Sequence, residues 1–102
     1  MAFNIDYKEE ENLNVFLSGD LDINSVETFK DDILEKYENI DKDVIIDLKD
    51  LEYIDSTGIG AIMTVYNDVK KKDRSLTVKN ANRNIAKLFK ITELDKIFNM
   101  EE

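Results

Sequence analysis

From Phe3 to Tyr7 apolar and polar residues alternate, the period of a strand with one buried face. Leu13 to Leu17 is a second strand, and the short polar turn Glu9-Glu10-Glu11-Asn12 between them favours an antiparallel hairpin. The period then changes. Val26, Phe29, Ile33, Leu34 and Tyr37 recur at helical spacing, and Asn24 with Glu27 three residues on resembles a capping box at the helix start. Val44-Ile45-Ile46-Asp47-Leu48 is a nearly continuous β-branched run, the pattern of a central strand covered on both faces. A second helix runs from about Ser56 to Lys72, with Ile59, Ile62, Met63, Tyr66 and Val69 facing inward. Ser75 to Val78 reads as a strand and Asn82 to Lys90 as a helix with Ile85, Leu88 and Phe89 inside. Glu93 to Ile97 reads as a last helical turn, and a short end segment follows around Phe98 to Met100.

The order β-β-α-β-α-β-α predicts an α/β fold: a mixed sheet that opens with an antiparallel hairpin and continues in β-α units, with helices packed on the sheet. No Pro interrupts the 102 residues, and no linker or repeat divides them, so residues 1–102 read as one domain. In such folds functional groups collect where strand C-termini meet helix N-termini. The three glycines fall at two such junctions, Gly19-Asp20-Leu21-Asp22 and Asp55-Ser56-Thr57-Gly58-Ile59-Gly60. The two loops are expected to be spatial neighbours if their strands are.

Composition narrows the chemistry. The chain has no His and no Cys, which removes Ser-His and Cys-His catalytic pairs, imidazole and thiolate metal sites, and disulfides. Most small-enzyme chemistry is thereby unavailable, with carboxylates, Lys and hydroxyls remaining, so no cofactor or metal and a non-enzymatic role are expected. The balance of 14 basic and 23 acidic residues gives a net charge of −9. That disfavours direct contact with nucleic acid or an anionic membrane, and it suits solubility or a partner with a basic surface. No apolar run approaches the roughly 20 residues that span a bilayer, and the N-terminus lacks a signal-peptide pattern, so a cytoplasmic location is expected.

Ser56 is the strongest candidate functional residue. Asp and Ser are good helix caps, and capping alone would explain the pair. Gly58 and Gly60, however, leave the helix start bare, where backbone N–H groups could receive an anion. The helix face opposite the core reads Thr57, Gly60, Ala61, Thr64 and Asp68, mostly small residues on which another protein could lie closely. Lys70-Lys71-Lys72 reads as a solvated helix end. A phosphoryl group on Ser56 would add about −1.5 to −2 charge beside Asp22 and Asp55 and would expel a docked partner. No His activates Ser56 and no Gly-x-Ser-x-Gly elbow surrounds it, so it is a residue acted upon rather than a nucleophile.

The chain resembles the anti-sigma factor antagonists of the STAS domain class. The resemblance is carried by Gly19-Asp20-Leu21-Asp22, Val44-Ile45-Ile46-Asp47-Leu48, Leu51 to Gly60, and Leu88-Phe89-Lys90-Ile91-Thr92-Glu93-Leu94. Asp55-Ser56-Thr57 is most similar to the general-stress branch, and sporulation antagonists share much of the pattern. The resemblance implies a partner-switching cycle. The unphosphorylated protein binds an anti-sigma factor that is itself a serine kinase, and a sigma factor is released for transcription. The kinase phosphorylates Ser56 and a PP2C-type phosphatase reverses it. The implied partner surface comprises Gly19, Asp20, Asp22, Asp55, Thr57, Gly58, Ile59, Gly60, Ala61 and Thr64. Competing readings are a STAS module in a larger signalling complex, an acyl carrier protein and a response-regulator receiver. The strand patterns oppose the carrier protein. The short chain and the position of Asp47 within a strand oppose the receiver.

Overall fold

The computed structural model describes residues 2–101. Its elements are β1 (Phe3–Glu9), β2 (Leu13–Leu21), α1 (Val26–Tyr37), β3 (Val44–Ile54), α2 (Ser56–Lys71), β4 (Leu76–Lys79), α3 (Arg83–Ile91), a 3-10 turn (Leu94–Lys96) and β5 (Asn99–Glu101). The five strands form one sheet in the order β1-β2-β3-β4-β5. β1 and β2 are antiparallel and every later pair is parallel. The mixed sheet with its opening hairpin is therefore as the hydrophobic pattern predicts. The end segment contributes a fifth strand.

Register explains the core. Leu13, Val44 and Leu76 lie side by side across the three inner strands, followed by Val15, Ile46 and Val78. All six are buried and join one hydrophobic cluster with Phe29 and Ile33 of α1, Ile62 and Val65 of α2, and Phe89 of α3. Fully burying each such side chain is worth about 1.5–3 kcal/mol, so this layer dominates stability. Edge-on aromatic contacts tie in the periphery: Phe3 meets Phe29 at 6.3 Å, and Phe98 meets Tyr66 at 5.3 Å and Phe89 at 6.1 Å. The Tyr7 hydroxyl donates to Asp32 of α1 at 2.6 Å. Burial, then that carboxylate, raises the phenol above its ordinary pKa.

The opposite sheet face is not covered as expected for β3. Ile45 and Asp47 are only half-buried, and Phe16 beside Asp47 is 38% exposed. The β-branched run reflects strand propensity as much as two-sided burial. β3 also runs six residues past Leu48. Its register against β2 shifts twice, between Phe16 and Ser18 and between Gly19 and Asp20, each time leaving an extra residue on β3. These bulges move its buried positions to Leu48, Leu51 and Ile54, a spacing that conceals the strand period.

Candidate functional site around Ser56

β2 and β3 are parallel neighbours, so their C-terminal ends bring the two glycine-containing segments together as expected. Gly19, Asp20 and Leu21 belong to β2 itself rather than to a loop. Leu21 pairs with Ile54, and its carbonyl accepts the Asp55 N–H at 3.3 Å. Gly58, in the first turn of α2, lies directly on that carbonyl: a Cβ there would stand 2.6 Å from Leu21 O and 2.7 Å from Ile54 Cγ1. Glycine is needed at 58 because the helix start is pressed onto the end of β2. Gly19 has φ +86°, and a Cβ on it would stand 1.7 Å from Ala2 O. Both glycines serve the fold through close backbone approach.

The β2–α1 turn closes on itself. The Ser25 hydroxyl donates to Asp20 O at 2.7 Å and accepts the Asp22 N–H at 3.0 Å. The Asp22 carboxylate accepts the Asn24 N–H at 2.9 Å. The α1 cap is consequently Ser25, one residue later than the predicted Asn24, and it makes no side-chain bond to its own helix. Its hydroxyl is committed to the turn, and no Asn24–Glu27 capping box forms.

Asp55 caps α2. Its carboxylate accepts the Gly58 N–H at 3.1 Å and the Thr57 hydroxyl at 2.5 Å. The Thr57 bond, with backbone N–H groups of Gly58, Thr57 and Ile23, holds this carboxyl below its ordinary pKa against a smaller opposing effect of burial. The helix start is not as bare to an anion as the sequence suggests, because the Asp55 carboxylate already takes the Gly58 N–H.

Ser56 is the first residue of α2 and is exposed. Gly60 and Thr64 follow at i+4 and i+8, and Asn67 is on the same side; all three are exposed. The Thr64 hydroxyl donates back to Gly60 O at 3.2 Å. A Cβ on Gly60 would meet nothing within 4 Å. Ala61 does not belong to this strip. It is 3% exposed and packs inward with Gly58, Ile62 and Val65, because it lies about 100° around the helix from Gly60. Ile59 is also buried, as its place in the core pattern predicts. Met63 and Tyr66 are half-buried at the core margin, while Val65 is fully inside.

Gly58, Ile59 and Ala61 therefore shape the site from beneath, whereas Ser56, Gly60 and Thr64 are exposed and Asp22, Asp55 and Thr57 are partly so. Two apolar residues absent from the predicted surface stand out. Ile23 is 67% exposed and Tyr53 is 52% exposed, on the two segments that converge before α2. Ile23 interrupts the polar stretch Asp22 to Ser25, whereas Tyr53 stands between Glu52 and Ile54 within β3 and no local pattern marks it as exposed.

The STAS domain family matches residues 4–102. An anti-sigma-B factor antagonist from Bacillus subtilis strain 168 is 34% identical over 101 residues, covering 98% of this chain and 92% of that protein. The chain belongs to the STAS domain family. Among solved structures, an anti-sigma factor antagonist from Mycobacterium paratuberculosis superposes on this STAS domain with a TM-score of 0.88 at 19% identity, covering 98% of this chain and 86% of the other. The Bacillus cell fate determinant SpoIIAA in its phosphorylated form gives 0.73 at 20% identity, covering 97% and 90%. At these identities the two structures establish the shared fold.

Proposed function

We propose that this STAS domain is a cytoplasmic anti-sigma factor antagonist. Its unphosphorylated form binds an anti-sigma factor serine kinase and frees the sigma factor. Phosphorylation of Ser56 blocks that binding, and a PP2C-type phosphatase restores it. One observation carries the reading: Ser56 is exposed on the first turn of α2, directly after a cap whose carboxylate already holds the Gly58 N–H. A phosphate there would project beside the Gly60–Thr64 strip and the Asp55 charge instead of settling into the helix end. The fold relative SpoIIAA has been obtained in unphosphorylated and phosphorylated forms, which supports phosphorylation as the modification here.

The switch is local. Asp55, Leu21 and Gly58 hold the helix start through contacts that do not involve the Ser56 side chain. Added charge changes what can dock rather than how the chain folds. Intact-mass measurement after incubation with the anti-sigma kinase and ATP should show one added phosphate, lost in Ser56→Ala. Undiminished modification of that variant would disprove the site.

A further inference from the structure

Charge is unevenly distributed along the chain. From Arg74 to Thr92 there are five basic residues and no acidic one, whereas the remainder holds 9 basic and 23 acidic residues, a net −14. Three of the five, Arg83, Lys87 and Lys90, fall at spacings of four and three on α3 and form one exposed stripe. None of the three is in an ion pair among the described residues; the pairs present use Lys8, Lys30, Lys42, Lys71, Arg74 and Lys96. Ile91, one turn beyond Lys87, is 67% exposed, while Ile85 and Phe89 on the far side anchor the helix in the core. A cationic stripe ending in an exposed aliphatic residue is the complement of an acidic amphipathic segment.

We propose that the outward face of α3 is a second docking surface, separate from Ser56, which takes an acidic segment of a partner protein with an apolar residue seated against Ile91. The charge distribution selects this occupant. A nucleic acid or an anionic membrane presents extended negative charge that would face the −14 of the surrounding molecule as well as the stripe. A second copy carries −9 itself, so its approach sets like charge against like over the rest of both surfaces. A short acidic segment meets the cations alone.

The test uses the full ¹⁵N-labelled chain and a synthetic peptide of repeating Glu-Glu-Leu. At low salt, amide shifts should concentrate on Arg83 to Thr92. The triple variant Arg83→Gln, Lys87→Gln, Lys90→Gln should weaken the peptide by about tenfold or more, or roughly 1.4 kcal/mol. The matched triple Lys49→Gln, Lys70→Gln, Lys71→Gln has the same net charge and should bind nearly as wild type. Glutamine is a good helix former, and Ile91→Ser gives a second weakening variant that leaves the cations intact. Shifts elsewhere, or equal weakening by both triples, would overturn the surface. Tighter α3-dependent binding of duplex DNA or phosphatidylglycerol vesicles than of the peptide would overturn the occupant. A dimer in sedimentation that the α3 triple dissolves would do so as well.

Discussion

The two ends of α2 are built in opposite ways. At its C-terminal end Lys72 reaches across to α1, where its ammonium donates to the carbonyls of Tyr37 at 2.5 Å, Ile40 at 2.8 Å and Glu38 at 3.2 Å. It also stands 4.1 Å from the centre of the Tyr37 ring. The carbonyl of the last α1 residue and two that follow it thus receive a cation, which also opposes the helix dipole. At its N-terminal end α2 is held by the Asp55 cap, by Gly58 pressed on Leu21 and Ile54, and by the buried Ile59, and its outer surface is Ser56, Gly60 and Thr64. One end is clamped by a long charged side chain and the other is kept small and open. A helix fixed at one end and pressed by glycine onto β2 at the other can accept a change of surface chemistry without moving.

Three substitutions probe that contrast. Gly58→Ala should have the largest effect, a loss of about 1–3 kcal/mol in urea unfolding, because its Cβ would overlap Leu21 O and Ile54. A loss below a few tenths would mean that the α2 start has room to shift. Lys72→Met keeps the aliphatic stem but removes the cation from three carbonyls, and should cost about 1–2 kcal/mol with kinase binding unchanged. Weakened binding in that variant would show that the two ends are not independent. Gly60→Ala should have the smallest effect on stability and the opposite sign, a gain of about 0.5–1 kcal/mol from helix propensity. Its added methyl should nonetheless weaken kinase docking. Stability gained with affinity unchanged would place the partner off this strip.

Much of this was legible in the sequence. Alternation located β1 and β2, the β-branched run located β3, and helical spacing located α1, α2 and α3. What was not legible has identifiable causes. The bulges in β3 shift its phase, so Leu51 and Ile54 look irregular although both are buried. Ala61 shares the small size of the open strip, but its helical angle places it with Ile62 and Val65. The Asn24–Glu27 spacing suggested a cap that the Ser25 hydroxyl displaces through bonds to Asp20 and Asp22. Lys72 looked like part of a solvated lysine run because its acceptors lie more than 30 residues away in sequence. For the candidate site, the position and exposure of Ser56 followed from capping logic and the strand–helix junction. Ile23 and Tyr53 did not, since exposure of a single apolar residue is set by tertiary packing that no local period encodes.

The most direct measurement is a calorimetric titration of the ATP-loaded anti-sigma kinase with this protein in its unphosphorylated form and with Ser56 phosphorylated. Loss of about 100-fold in affinity, or roughly 2.7 kcal/mol, is expected on phosphorylation, with the same circular dichroism spectrum for both forms. Equal affinities, or a loss accompanied by a changed spectrum, would contradict a local switch at Ser56.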